Sequence, residues 1–311
     1  MTKTSGGFSA GHEVNVPRTT QLERRRPEPT LFDPSRPNIA RVYDYWLGGK
    51  DNFPADRAEA DRLIAVYPRL PLLAQQNRLF LARAVKWLAE QGVTQFLDLG
   101  CGLPTGQNTH EIAQAVHPDC RVVYVDADPV VLSHARALLC GPGVTAIHGN
   151  LAEPSEILAD LRAQHLINLA EPTVVILAMV LHFFDAATAH HIVATLARAV
   201  MPGSYFVLSV GSGDERTGGA LAREYQAGTL YNHSLAQIAA FLEDLELIPP
   251  GVTDAVAWMP GSPGQPPPAQ TGGHILAGVA RKPEADETSR PCDALRPCAC
   301  QQSTLSRLLN M

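Results

Sequence analysis

The chain has 311 residues, 45% of them hydrophobic and 18% charged, and a formal net charge of −6. This composition suits a globular protein with a real core, and the acidic balance argues against a general nucleic-acid binder, which would present a basic face. The longest apolar run, Val174 to Leu181, is too short to cross a bilayer, the N-terminus lacks the apolar stretch of a signal peptide, and the six cysteines are irregularly spaced, so a reduced, cytoplasmic protein is expected.

Residues 1–36 are rich in Thr, Arg, Glu and Pro without any period and read as a disordered leader, in which Arg24-Arg25-Arg26 is taken as solvated. Ile39 to Leu47 can form a short amphipathic helix with Ile39, Val42, Tyr43 and Trp46 on one face, stopped by Gly48-Gly49. Helices from about Pro54 to Val66 and from Leu72 to Gln91 follow.

The period then switches. Strands are expected at Gln95–Leu99, Arg121–Val125, Val144–His148, Thr173–Ala178 and Tyr205–Val210. Helices at Gly106–Val116, Pro129–Cys140, Ser155–Gln164 and Ala186–Val200 separate them. This alternation implies right-handed crossovers and a parallel sheet covered on both faces, an α/β fold. Beyond it come helices over Glu215–Ala227 and Leu235–Leu245. Strands Val252–Trp258 and His274–Ala280, separated by the loop Pro260–Gly273, would close the sheet edge as a hairpin. Residues 283–311, broken by prolines, read as a disordered tail.

Three polar constellations fall at consecutive strand ends. The first, Asp98-Leu99-Gly100-Cys101-Gly102-Leu103-Pro104-Thr105-Gly106, offers a sharp turn that lets a ligand reach the main chain. Its spacing is G-x-G-x-x-x-G rather than the G-x-G-x-x-G of dinucleotide sites, which favours a ligand without a pyrophosphate. The second is Asp126, 26 residues past Gly100, placed to accept hydrogen bonds from two ribose hydroxyls, while Asp128 reads as the cap of the next helix. Ala127 belongs to the same segment. The third, Gly149-Asn150-Leu151, can read an adenine edge. Together they form one crevice for a nucleoside-containing ligand. After the fourth strand, Leu181-His182-Phe183-Phe184 supplies a candidate general base, His182. Adjacent His190 and His191 face different ways on a helix, and Cys292, Cys298 and Cys300 sit in the tail without histidines, so no metal site is expected.

Asp98–Gly106 together with Val125-Asp126-Ala127-Asp128-Pro129 resembles motifs I and II of class I S-adenosylmethionine-dependent methyltransferases. The segment Ala40–Phe53 resembles the opening segment of an actinomycete S-adenosyl methyltransferase family, formerly a domain of unknown function. Asn77-Arg78, Asn108-Thr109-His110-Glu111, Leu181-His182-Phe183, Pro249-Pro250-Gly251 and Trp258 also agree, so the likeness spans roughly residues 36–282. It implies a Rossmann-like, seven-stranded, mostly parallel sheet in the order 3-2-1-4-5-7-6, with strand seven antiparallel. The domain would run over 37–282, with an N-terminal helical lid at 37–92 and a core at 93–282. Two departures stand out: Asn150 where the family usually has Asp, and Cys101 where Thr or Ser is common.

The resemblance implies S-adenosylmethionine as cofactor, S-adenosylhomocysteine as product, and methyl transfer to an acceptor expected to be a small molecule. Neither a nucleic-acid nor a membrane partner is expected. Asp98, Gly100, Gly102, Asp126, Ala127, Asn150 and Leu151 would hold the cofactor. Asn52 and Phe53 of the lid would join them. Tyr43, Tyr225 and Tyr231 are candidate substrate contacts. A nicotinamide-dependent oxidoreductase and a non-catalytic S-adenosylmethionine-binding regulator are the competing readings.

Overall fold

The computed structural model describes residues 32–263 and 272–284. The leader, apart from its last few residues, and nearly all of the tail lie outside them, as do Arg24–Arg26 and Cys292, Cys298 and Cys300. The chain enters the described fold through three helices, α1 (Ile39–Trp46), α2 (Pro54–Val66) and α3 (Leu70–Glu90). Asn38 caps α1 by accepting from the Ala40 and Arg41 amides, and Pro54 opens α2 at a position where no backbone donor is needed.

The alternating part follows: β1 (Gln95–Leu99), α4 (Thr109–Val116), β2 (Arg121–Asp126), α5 (Pro129–Leu138), β3 (Val144–His148), α6 (Pro154–Ala163), β4 (Val174–Ala178), α7 (Ala186–Ala199) and β5 (Tyr205–Gly213). A single 3-10 turn, Leu181–Phe183, lies between β4 and α7. Every residue of β1 is buried, as a central parallel strand requires. Successive side chains point to opposite faces. Leu97, Val123, Leu177 and Leu208 therefore pack under α6 and α7, while Phe96, Val122, Ile176 and Val207 pack under α3, with Ala113 of α4 and Ala135 of α5.

After α8 (Glu215–Glu224) and α9 (Leu235–Ala240), β6 (Glu246–Leu247), β7 (Thr253–Asp254) and β8 (Gly273–Arg281) complete the sheet. The order is β3-β2-β1-β4-β5-β8-β6, with β7 also paired to β8 and β8 antiparallel to β5. The expected α/β class and the antiparallel penultimate strand are present, but among the described residues the sheet has eight strands, because the outer strand is in two pieces.

Val252–Trp258 is not one strand. The strand ends at Asp254, with one further bond from the Ala255 amide to the Ile275 carbonyl, and the Asp254 carbonyl takes the Ala257 and Trp258 amides in a turn. Trp258 is instead driven into the core, 5.3 Å from Phe80 and 6.4 Å from Trp87 between ring centroids, so burial of the indole outweighs continued pairing. Helix α4 starts at Thr109 rather than near Gly106, because Asn108 and Glu111 form a reciprocal cap there. No described helix is long and apolar enough to cross a membrane.

Candidate functional site

Gly100 and Gly102 end β1 with φ of +68° and +65°, a region that side chains disfavour. At Gly100 the constraint is double, since a Cβ would stand 2.4 Å from Val180 Cγ1; at Gly102 nothing lies within 4 Å and the demand is conformational alone. The Gly100 and Cys101 amides donate to the Val125 carbonyl, which ties the turn to the end of β2. Asp126 Oδ2 accepts from the Gly102 amide at 3.0 Å and Oδ1 from the Asp128 amide at 2.9 Å. Each carboxylate oxygen keeps a further lone pair for a ligand. Burial raises the Asp126 pKa above the usual carboxylate value, and these backbone donors pull it partly back. Asp98 is buried, accepts from Thr109 Oγ1 at 2.7 Å, and is likewise raised by desolvation against the pull of Thr109 and the Arg78 charge.

Both carboxylates open on one cavity of about 410 Å3. Gly100, Gly102, Ala127, Asn150 and Leu151 line it too, as do Tyr43, His182, Tyr225 and Tyr231. Asn150 is exposed; its Oδ1 accepts from the Ala152 amide at 3.0 Å and retains a second lone pair. Asn52 and Phe53, expected on the cofactor, are not in the cavity wall. Asn52 Nδ2 donates to Asp44 Oδ2 at 2.8 Å and to the Gly49 carbonyl, while the Phe53 amide donates to Asp56 and its ring lies under the Arg41 guanidinium, 5.4 Å away. The Gly48-Gly49 break folds these groups back on their own segment. Asp44, to which Asn52 donates, does line the cavity.

The helices are tied to one another and to the sheet by polar contacts that the periodicity of α1 did not announce. Asn38 Nδ2 donates to Asp128, and Asp56 pairs with Arg41 at 2.7 Å with both side chains buried. Tyr43 donates to the Ala74 carbonyl and accepts from Asn77, whose Oδ1 takes Ser209 Oγ at 2.7 Å. Ser209 in turn receives the amide of Met179, a residue at φ +57° where β4 leaves the sheet.

The charge of the wall is uneven. Asp44, Asp98, Asp126 and Asp128 face the cavity, against one guanidinium among the described lining residues, Arg78. Arg78 Nη2 donates to the Gln107 carbonyl at 2.9 Å, so α3 brings a cation to the glycine turn. In the sequence Arg78 stands out only as part of the Asn77-Arg78 match; its place at the site depends on α3 packing beside α4, next to the glycine turn.

His182 does not stand as a base. Its Nδ1 accepts the Gly211 amide at 3.3 Å, so the ring proton belongs on Nε2, and burial next to His233 lowers its pKa to about 3. It is a neutral donor. The Phe183 ring lies against it, 4.4 Å away, and Tyr225 follows at 6.0 Å from Phe183. Desolvation raises the Tyr225 hydroxyl well above its ordinary pKa, so it too stays protonated.

The sequence matches a family described as S-adenosyl methyltransferase over residues 25–283. A family protein of Streptomyces avermitilis, described by the domain-of-unknown-function number 574, is 35% identical; the match covers 81% of this chain and 99% of that one, with a TM-score of 0.74. A Thermobifida fusca protein designated a candidate methyltransferase is 40% identical, with 83% and 98% covered and a TM-score of 0.73. Comparison with curated proteins gave no match.

Proposed function

The chain belongs to the S-adenosyl methyltransferase family, and we propose that it methylates a small aromatic or polyketide-like acceptor held beside S-adenosylmethionine in the cavity of α1, α3 and the carboxyl ends of β1–β5. When bound, S-adenosylmethionine supplies a methyl group on a cationic sulfonium. The observation that carries the reading is the charge of the wall, four carboxylates to one guanidinium among the described residues. That balance suits a ligand with a sulfonium, an ammonium and one carboxylate. It opposes the pyrophosphate of a nicotinamide dinucleotide, and the Gly102 amide, which a phosphate would need, is already given to Asp126.

In this reading Asp126 accepts the two ribose hydroxyls with its remaining lone pairs. Asn150 Oδ1 and the Leu151 amide read the adenine, whose base packs on Leu151. Asp98 faces the ammonium and Arg78 the carboxylate of the amino-acid end. Helices α1–α3 act as a lid that excludes water from the reacting atoms. His182 Nε2–H donates to a lone pair on the acceptor and positions it. Positioning and desolvation supply most of the rate, since the sulfide is already a good leaving group.

Calorimetry with S-adenosylhomocysteine and NAD tests the cofactor: binding of the first alone is expected, and binding of NAD alone would refute the reading. Incubation with S-adenosylmethionine and a panel of phenols and polyketide-like compounds tests turnover. Tight S-adenosylhomocysteine binding without any methylated product across such panels would favour the regulatory alternative.

A further inference from the structure

The acceptor side of the cavity is built by the ends of β4, β5 and β8 and by α1 and α8, across β1 from the ribose-reading loops. Among its described residues there is no lysine or arginine, so a phosphate or carboxylate on the acceptor would find no counter-ion there. Aromatic rings dominate instead: Tyr43, Trp46, Phe183 and Tyr225, with Tyr231 at the exposed rim. Such a wall suits a flat, uncharged ring.

This side also holds polar atoms that the protein leaves unsatisfied. Among the described residues, four buried side-chain polar atoms have no hydrogen-bond partner, and two of them, Trp46 Nε1 and His274 Nε2, belong to residues of this wall. His274 lies on β8 opposite Ser212 of β5, beside the position where Gly211 holds His182. Its Nδ1 faces Asp254 Oδ2 at 3.3 Å. Asp254 is held in turn by β7 pairing and by the Val256 amide on its other oxygen. The nearby carboxylate of Asp214 is occupied by the Gly272 and Thr217 amides and caps α8. The carboxylate of Asp254 fixes the Nδ1–H tautomer, which leaves the lone pair of a histidine on Nε2. The two histidines of the wall are thus opposite in sense: the nitrogen of His182 not held by the backbone carries a proton, and the buried, unpartnered Nε2 of His274 carries a lone pair.

We propose, building on the methyltransferase reading above, that His274 backed by Asp254 is the proton-accepting group of the acceptor site, and that the acceptor is a hydroxylated aromatic whose O–H points at His274 Nε2. The hydroxyl oxygen would bond to the methyl carbon as the carbon–sulfur bond breaks and its electron pair leaves with sulfur. The hydroxyl proton would pass to Nε2, and the resulting imidazolium would rest against the Asp254 carboxylate.

The full-length protein saturated with S-adenosylhomocysteine is titrated with 4-nitrophenol, whose phenolate form is coloured, in slightly acidic buffer. We expect the bound probe to hold a severalfold larger phenolate fraction than free probe in the same buffer. His274→Gln and Asp254→Asn should lose that excess while binding S-adenosylhomocysteine with wild-type affinity. An excess that survives in His274→Gln, or a cofactor complex that does not bind the probe, overturns the proposal. Should His274→Gln not fold, Asp254→Asn, whose side chain is partly exposed, carries the same test. Failure of the wild type to bind S-adenosylhomocysteine would instead overturn the cofactor reading on which the proposal rests.

Discussion

Replacing Asp126 by alanine probes the cofactor site most directly. The carboxylate holds two backbone amides in the free protein and, in the complex, would hold two ribose hydroxyls. Hydrogen bonds to a charged group contribute about 1.5–3 kcal/mol each, and part of this is offset because the ligand regains water in solution, so a loss of about 2–4 kcal/mol in binding is expected. That corresponds to roughly 30- to 700-fold weaker S-adenosylhomocysteine affinity, at 1.4 kcal/mol per tenfold. Folding changes separately. Two amides lose their acceptor, at about 1–3 kcal/mol for each one that water does not reach. Removal of a desolvated charge, evident in the raised pKa of Asp126, offsets part of that cost. Asp126→Asn retains one acceptor oxygen and should fall between the variant and the wild type in both measurements. Calorimetry with S-adenosylhomocysteine, alongside urea unfolding of the same preparations, separates the two effects. Unchanged affinity in a folded Asp126→Ala protein would refute the ribose assignment.

Gly100→Ala should destabilise more than Gly102→Ala, since both require a disfavoured φ at about 1–2 kcal/mol but only Gly100 also meets Val180; urea midpoints that rank the other way would contradict this. Arg78→Gln should weaken S-adenosylhomocysteine at least severalfold while leaving adenosine, which lacks the amino-acid end, nearly unaffected, and equal losses for both ligands would show that Arg78 acts only by holding the Gln107 carbonyl. The folded pKa of His182, about 3, lies below the ordinary value of 6.5, so its effect on stability is absent above that value. As pH falls from there toward 3, the unfolded chain takes the proton first and stability is lost. His182→Gln should therefore gain on the wild type by about 2 kcal/mol between neutral pH and about pH 5, read by urea unfolding at each pH, and a constant difference would argue against a neutral buried ring.

The parts of this protein that could be read without coordinates are those decided by neighbours in the chain. Alternating apolar periods place β1–β5 and their helices, because burial on both faces of a parallel sheet demands continuous apolar strands between amphipathic helices. Asp128-Pro129 announces the start of α5, and the bare backbone of Gly100 and Gly102 announces the turn that α/β topology always sets at the ligand crevice. Asp98, Asp126, Asn150 and Leu151 follow from these by counting along strand ends, and all reach the cavity wall.

What escaped the sequence depends on groups brought together from far apart. Arg78 becomes a cation of the wall only because α3 packs beside α4, next to the glycine turn, and Asn38 grips Asp128 across 90 residues. The Val252–Trp258 run looks like a strand by pattern, yet the space between Phe80 and Trp87 draws Trp258 inward and ends the strand at Asp254. Asn52 looks available to a ligand until the Gly48-Gly49 turn returns its amide to Asp44. Most tellingly, which ring nitrogen of a histidine carries the proton is set by what the other nitrogen meets: an amide from β5 for His182, a carboxylate from β7 for His274. Local sequence carries no trace of either partner, since both are chosen by the packing of the sheet.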